Sequence, residues 1–325
     1  MADAILSGNP ISWFPNGYPI FICIVKVFFR ESLISTVIIF SNVVFSTLVV
    51  FMTMEIFKKI SGNKRISLLS GFVVAVYPNQ INYVRQMLSD VPATFFLILG
   101  FFLWTRGKFL RSGFFFYIAG LFRSTLLPIG LIIFFVSLLK NYSIQSEIKT
   151  KRLLAGFFLA VGFYSILIFA NIVKPSGNLS YNISKAISFY NKGDLEITKT
   201  TRQEDMNAPI GRYFQFALEH PALFIRYRLL AFQDLWGWPV KSERSFLTDF
   251  LISLRFPLVI LALIGFIRRY NDLNFQIFFI PILLITIIHV TMFSSARFTY
   301  TVEPLAIILG MSLLCKKPTF TTVPD

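Results

Sequence analysis

The feature that most constrains this chain is the recurrence of apolar runs of near-bilayer length, separated by short basic loops. A helix crossing the hydrocarbon core needs ~20 mainly apolar residues. Runs near 33–56, 66–77, 91–105, 153–173, 248–267, 274–292 and 299–315 approach that length. The stretch 112–139 is too long for one simple span and carries Arg123 near its middle, so it reads as two short helices in a hairpin with Arg123 near the tip. The expected fold is all-α: a polytopic membrane helix bundle of about 8–9 spans at this length per crossing, counting the hairpin. Ten-residue segments of alternating hydrophobicity, the mark of a membrane β-barrel, are not seen. A mean hydropathy of +0.67 over 325 residues is too apolar for an ordinary soluble domain.

Charge orients the spans. The net charge of +15 would point to nucleic acid in a soluble protein, but here Lys and Arg gather beside the apolar runs. Lys58, Lys59, Lys64 and Arg65 form one group, and Arg106, Lys108 and Arg111 a second. Lys140, Lys149, Lys151 and Arg152 form a third, Arg268 and Arg269 a fourth, and Lys316 and Lys317 a fifth. With the hairpin, all five fall on one side, which is therefore the cytoplasmic side of a plasma (inner) membrane. Four regions follow. Residues 1–32 are extracytoplasmic and end in a short interfacial helix over 20–29, behind a break at Gly17-Tyr18-Pro19. Residues 33–173 are a first bundle, 174–247 an extracytoplasmic segment, and 248–325 the last spans with a short cytoplasmic tail. An N-terminus outside, with no preceding span, leaves the parity one helix short, so a first helix is expected upstream of Met1.

No CxxC, HExxH, Walker loop or DxD occurs, and the two histidines stand apart, so neither a cofactor nor a metal is implied. Ionisable residues at membrane depth are costly and read as functional by default. Arg85 and Asp90 interrupt "NYVRQMLSDVPATFF". In one helix they would stand ~140° apart, so a break is expected, with Ser89 capping a helix that carries Asp90 in its first turn. Either that cap explains them, or the two face a shared outer cavity. Arg123 has the fork geometry that suits phosphate oxygens. Arg297, in "ARFTYTVEPLAIIL" with Tyr300 and Glu303, reads as an interfacial anchor of arginine and tyrosine, or as functional like the others at membrane depth. Glu219-His220-Pro221, with Arg226, Arg228 and "QDLWGWP", is an anchor, or an edge that holds a sugar or a lipid phosphate.

In this order, "ADAILSGNPISWFPNGYP", "VRQMLSDVPATFF", "AGLFRSTLLPIGL", "EHPALFIRYRLLAFQDLWGWP" and "RFTYTVEP" resemble the bacterial branch of the multi-pass GT-C glycosyltransferases. That is the family-39 type, which includes protein mannosyltransferases and aminoarabinose transferases. The resemblance implies transfer of a sugar from a polyprenyl-phosphate donor to a glycan, lipid or protein acceptor outside the membrane. Carried over by motif, Arg85 and Asp90 would lie in the catalytic cavity, and Arg123 and Arg297 would contact the donor phosphate. Tyr18, Tyr83, His220 and Tyr300 are candidate substrate contacts. The family's credited base opens the first outer loop, a position that would fall before Met1, so Asp90 is expected to act as a support residue. A transporter of lipid-linked glycans is the alternative, or a non-catalytic membrane subunit; no internal repeat favours a transporter.

Overall fold

The structure is a computed structural model that describes residues 5–7, 15–140, 144–173, 209–237, 253–291 and 296–315. The described residues are helical, with no strand among them. In chain order the helices are α1 Gly17–Phe28, α2 Ile34–Ser61, α3 Lys64–Val76, α4 Pro78–Val84, α5 Asp90–Thr105, α6 Phe109–Phe122 and α7 Ile129–Lys140. There follow α8 Ile144–Phe169, α9 Pro209–Glu219, α10 Pro221–Trp236, α11 Arg255–Arg268, α12 Leu273–Thr291 and α13 Glu303–Met311, with a 3-10 turn over Ala296–Val302.

Three helical stretches are long and apolar enough to cross a membrane: Glu31–Ser61, Lys149–Phe169 and Leu273–Thr291. Shorter apolar helices, such as Asp90–Thr105 and Phe109–Phe122, pack beside them. The outward surface is greasy, with Phe40, Phe51, Phe72, Phe163 and Ile166 all exposed. That is the surface of a protein solvated by lipid.

Two polar ends bracket an apolar core that includes Ile56, Phe101, Phe116, Phe278 and Leu305. At one end Glu55 receives Arg106 at 3.1 Å, Arg268 donates to the Leu313 carbonyl, and Arg269 donates to the Cys315 carbonyl. Arg268 and Arg269 thus meet carbonyls at the C-terminal end of the last helix, where positive charge is favoured. The opposite end gathers the starts of α5, α11 and α13 with the end of α6, and it holds the buried carboxylates described below. Asn63, the N-cap of α3, accepts from the amides of Arg65 and Ile66 and turns the chain back after α2.

Glycines set the helix crossings. A Cβ on Gly113 would lie 1.9 Å from the Leu153 carbonyl oxygen, and one on Gly156 would lie 1.8 Å from that of Leu110. The α6 and α8 backbones therefore touch through a reciprocal glycine contact, the small-residue packing of membrane helices. Gly265 does the same for α11 against α13, its absent Cβ 2.0 Å from the Leu309 carbonyl.

The apolar runs fall on α2, α3, α5, α8, α11, α12 and the 3-10 turn with α13, and the hairpin on α6 and α7, but among the described residues only the runs at 33–56, 153–173 and 274–292 fall on helices long and apolar enough to cross a membrane. Arg123 sits at the hairpin's turn, as expected. One local expectation is corrected. Gly17-Tyr18-Pro19 is not a break before a helix; it forms the first turn of α1. Gly17 is required there because a Cβ would lie 2.7 Å from the Leu121 backbone, at the end of α6. Residues 174–208 and 238–252 of the expected outer segment and of the span after it lie outside the described residues, as do 1–4, 8–14 and the tail from Lys316.

Candidate functional site

Asp90 begins α5 and is fully buried. Ser89 holds the N-cap position, but its hydroxyl makes no capping bond, so the cap alone does not account for Asp90. A carboxylate taken out of water costs several kcal/mol unless it is paired and hydrogen-bonded. Arg123 supplies the pairing: its Nη1 donates to Asp90 Oδ1 at 2.8 Å, and it is itself buried. The Arg123 backbone is extended at the end of α6, and this aims the side chain across the bundle end. Arg297, on the 3-10 turn, brings its Nε to 3.4 Å from Asp90 Oδ2, an ion-pair distance outside hydrogen-bond geometry. Its side chain is 42% exposed, against 9% for Arg123. One arginine is structural in its burial; the other is open to a ligand.

Phe298 fixes this group from the side. Its ring stacks on His289 with centroids 4.0 Å apart, and the Arg123 guanidinium lies 4.9 Å from its centroid. Such cation–aromatic contacts strengthen when desolvated.

A second buried carboxylate lies at the same end. Glu303 opens α13 and is fully buried. Its Oε1 accepts from Asn79 Nδ2 at 2.8 Å, Arg255 Nε at 3.0 Å and Thr299 Oγ1 at 3.2 Å. Its Oε2 accepts from Gln80 Nε2 at 3.3 Å, and Gln80 also reaches the Tyr300 carbonyl. One side chain thus joins α4, α11, α13 and the turn that carries Arg297. Tyr83 and Tyr300 pack edge to face between the two carboxylate groups, with centroids 5.0 Å apart.

Asp90 Oδ2, Arg123 Nη2, Arg255 Nη1, Arg297 Nε and Gln80 Oε1, all at this bundle end, are among the buried polar atoms that make no hydrogen bond. A buried polar atom left dry costs ~1–3 kcal/mol. The bundle end is therefore polar beyond its own internal needs, which is the condition for accepting a polar guest.

Of the residues singled out in the sequence, the structure brings Asp90, Arg123 and Arg297 together, with Tyr300 and Tyr83 alongside. Tyr18, in the first turn of α1, packs on Phe21. Arg85 does not join them. It is exposed at the C-cap of α4, and its Nη2 donates back to Asn82 Oδ1 in the last turn of that helix. Asp90 pairs with Arg123 and not with Arg85, because a buried carboxylate needs a buried cation and Arg85 is exposed. His220 is exposed before α10 and stacks near Phe216, apart from the carboxylates.

Arg255, Asn79 and Gln80 were not singled out, and Glu303 was noticed only within a motif. Arg255 and Glu303 each open an apolar helix at the same bundle end, as Asp90 does, so the same reading of ionisable residues at helix edges reaches them. Asn79 and Gln80 carry no such signal. Comparison with family models, with curated proteins and with solved structures gives no match.

Proposed function

We propose that the protein is a polytopic inner-membrane glycosyltransferase of the GT-C type, with about 8–9 spans of bilayer length and its working end extracytoplasmic. On this reading it moves a sugar from a polyprenyl-phosphate donor to a glycan, lipid or protein acceptor. The observation that carries the reading is the meeting of Arg123 and Arg297 on Asp90 at the bundle end away from the Glu55, Arg268 and Arg269 cluster. Those arginines come from segments 174 residues apart in number, and Arg297 remains open.

In the proposed step, an acceptor hydroxyl attacks the sugar C1 and loses its proton to a base. The C1–O bond to phosphate breaks, and the electron pair leaves with the polyprenyl phosphate. Guanidinium groups aimed at the leaving phosphate stabilise that growing charge. Arg297 contacts the phosphate; Asp90, itself fixed by Arg123, holds Arg297 in place. Tyr83, Tyr300 and Tyr18 offer rings and hydroxyls to the sugar. A lipid-borne donor enters from the side, which suits a bundle open to the bilayer.

The test is transfer of radiolabel from a panel of polyprenyl-phosphate sugars to lipid and peptide acceptors by protein in nanodiscs. Label is expected in the acceptor with wild type, and a fall of about a hundredfold, or ~2.7 kcal/mol, with Arg297→Gln that still shows a wild-type melting transition. Movement of the lipid-linked sugar between leaflets without transfer would replace this reading with a transporter. Wild-type turnover in Arg297→Gln would remove the site assignment.

A further inference from the structure

The two helices that precede the last spans carry an exposed face that nothing in the proposed chemistry uses. On α9, the exposed side chains are Phe214 and Leu218 on one stripe and Gln215 and Glu219 on the next, the latter pair hydrogen-bonded at 2.8 Å. On α10, Ile225 and Leu229 are exposed beside Arg226. At 100° per residue, each outward face divides into an apolar strip and a polar strip. A helix in water does not sort its exposed face in this way; a helix lying at a bilayer surface does.

The depth of the pair is set by α12, one of the three helices long and apolar enough to cross a membrane. The last carbonyls of a helix lack partners within it. Here they are taken by the pair: Arg228 Nη1 donates to the Val290 carbonyl at 3.0 Å and also to that of Thr291, and the Tyr213 hydroxyl donates to Thr291. Eight residues further along α10, Trp236 Nε1 donates to Thr286 Oγ1 at 3.2 Å. Thr286 lies five residues inside the end of α12, ~7.5 Å deeper at the helical rise. Tyr213 is the fifth residue of α9 and Arg228 the eighth of α10, so the pair crosses the level where α12 ends, and the second half of α10 descends beside α12. Ile225 and Leu229 flank Arg228 on α10, and Phe214 follows Tyr213 on α9, so the exposed apolar strip lies around the level where α12 ends, the depth of a bilayer surface.

We infer that the α9–α10 pair is seated in the lipid leaflet at the C-terminal end of α12, with Phe214, Leu218, Ile225 and Leu229 against acyl chains. The occupant of this face is the bilayer. Arg226 beside the strip reaches back to the headgroups on its long stem. The inference is independent of the proposed chemistry, since it needs only that α12 crosses the membrane.

The test is nitroxide accessibility on full-length protein in phosphatidylethanolamine–phosphatidylglycerol vesicles. Phe214→Cys, Leu218→Cys, Ile225→Cys and Leu229→Cys are labelled singly, with Gln215→Cys and Glu219→Cys as polar references; the two native cysteines are buried. Oxygen, which concentrates in lipid, is expected to relax the four apolar positions more than a water-soluble nickel chelate does, with the order reversed at the two references. Chelate-dominated relaxation at the four would place the strip in water and overturn the inference. Protection from both reagents would place protein over the strip and overturn it equally.

Discussion

Replacing Glu303 by leucine should be the most damaging single change at the bundle end. Its side chain is 0% exposed and that of its partner Arg255 is 1% exposed, with 3.0 Å between them. Removing the carboxylate leaves a guanidinium in the apolar interior and takes the acceptor from Asn79, Gln80 and Thr299. Breaking one side of a buried pair costs about 3–5 kcal/mol. The neutral donors add less than their separate penalties, because amides and hydroxyls can turn toward neighbouring carbonyls. The expected loss for Glu303→Leu is therefore about 3–5 kcal/mol, read from unfolding in detergent–SDS mixed micelles. Arg255→Met should cost a similar amount, since it strands the carboxylate. Both together should be less damaging than the sum, because an apolar pair of similar volume removes the stranded charge as well as the bond. Additive losses, or a loss under ~1 kcal/mol for Glu303→Leu, would show that the pair is not the buried, mutually dependent unit described.

Gly113→Ala should weaken the α6–α8 crossing by about 1–3 kcal/mol, the cost of overpacking, because its methyl would fall 1.9 Å from the Leu153 carbonyl oxygen. A lowered melting temperature checks it; an unchanged one would mean the helices separate freely. Asp272 lies in the loop between α11 and α12, and burial holds its carboxyl above the usual carboxylate range despite the donated Asn274 amide and nearby Arg269. A raised folded-state value contributes stability at low pH that is lost as pH rises through that value. Asp272→Asn should therefore match wild type in acid and gain on it as pH rises, in melting temperatures taken across the pH range. A gap that narrows with rising pH would reverse the sign.

The helices were legible because their signal is local. Apolar runs and basic loops mark α2, α5, α8 and α12 without any knowledge of packing, and Arg123 marked the hairpin turn because a charge cannot sit midway along a span. Asp90 stood out for the same reason. What could not be read was pairing. Arg85 is five residues from Asp90 and Arg123 is thirty-three away, yet burial gives Asp90 to Arg123. Likewise, Arg255 meets Glu303 across α11 and α13, helices that touch closely at Gly265, and a glycine in an apolar run does not announce its partner. The start of α1 was misplaced because Gly-Tyr-Pro reads as a break, while the glycine serves a close approach to α6.

The central claim is that this bundle end recognises a lipid phosphate through Arg297, held by Asp90, itself fixed by Arg123. The most direct measurement compares binding of polyprenyl phosphate and of the same polyprenol without phosphate to protein in nanodiscs, for wild type and Arg297→Gln. The account predicts that wild type prefers the phosphate lipid by about tenfold or more, a difference of ~1.4 kcal/mol or above, and that Arg297→Gln loses most of that preference while keeping its affinity for the polyprenol. Equal affinity of wild type for the two lipids, or a preference that survives in Arg297→Gln, would contradict it.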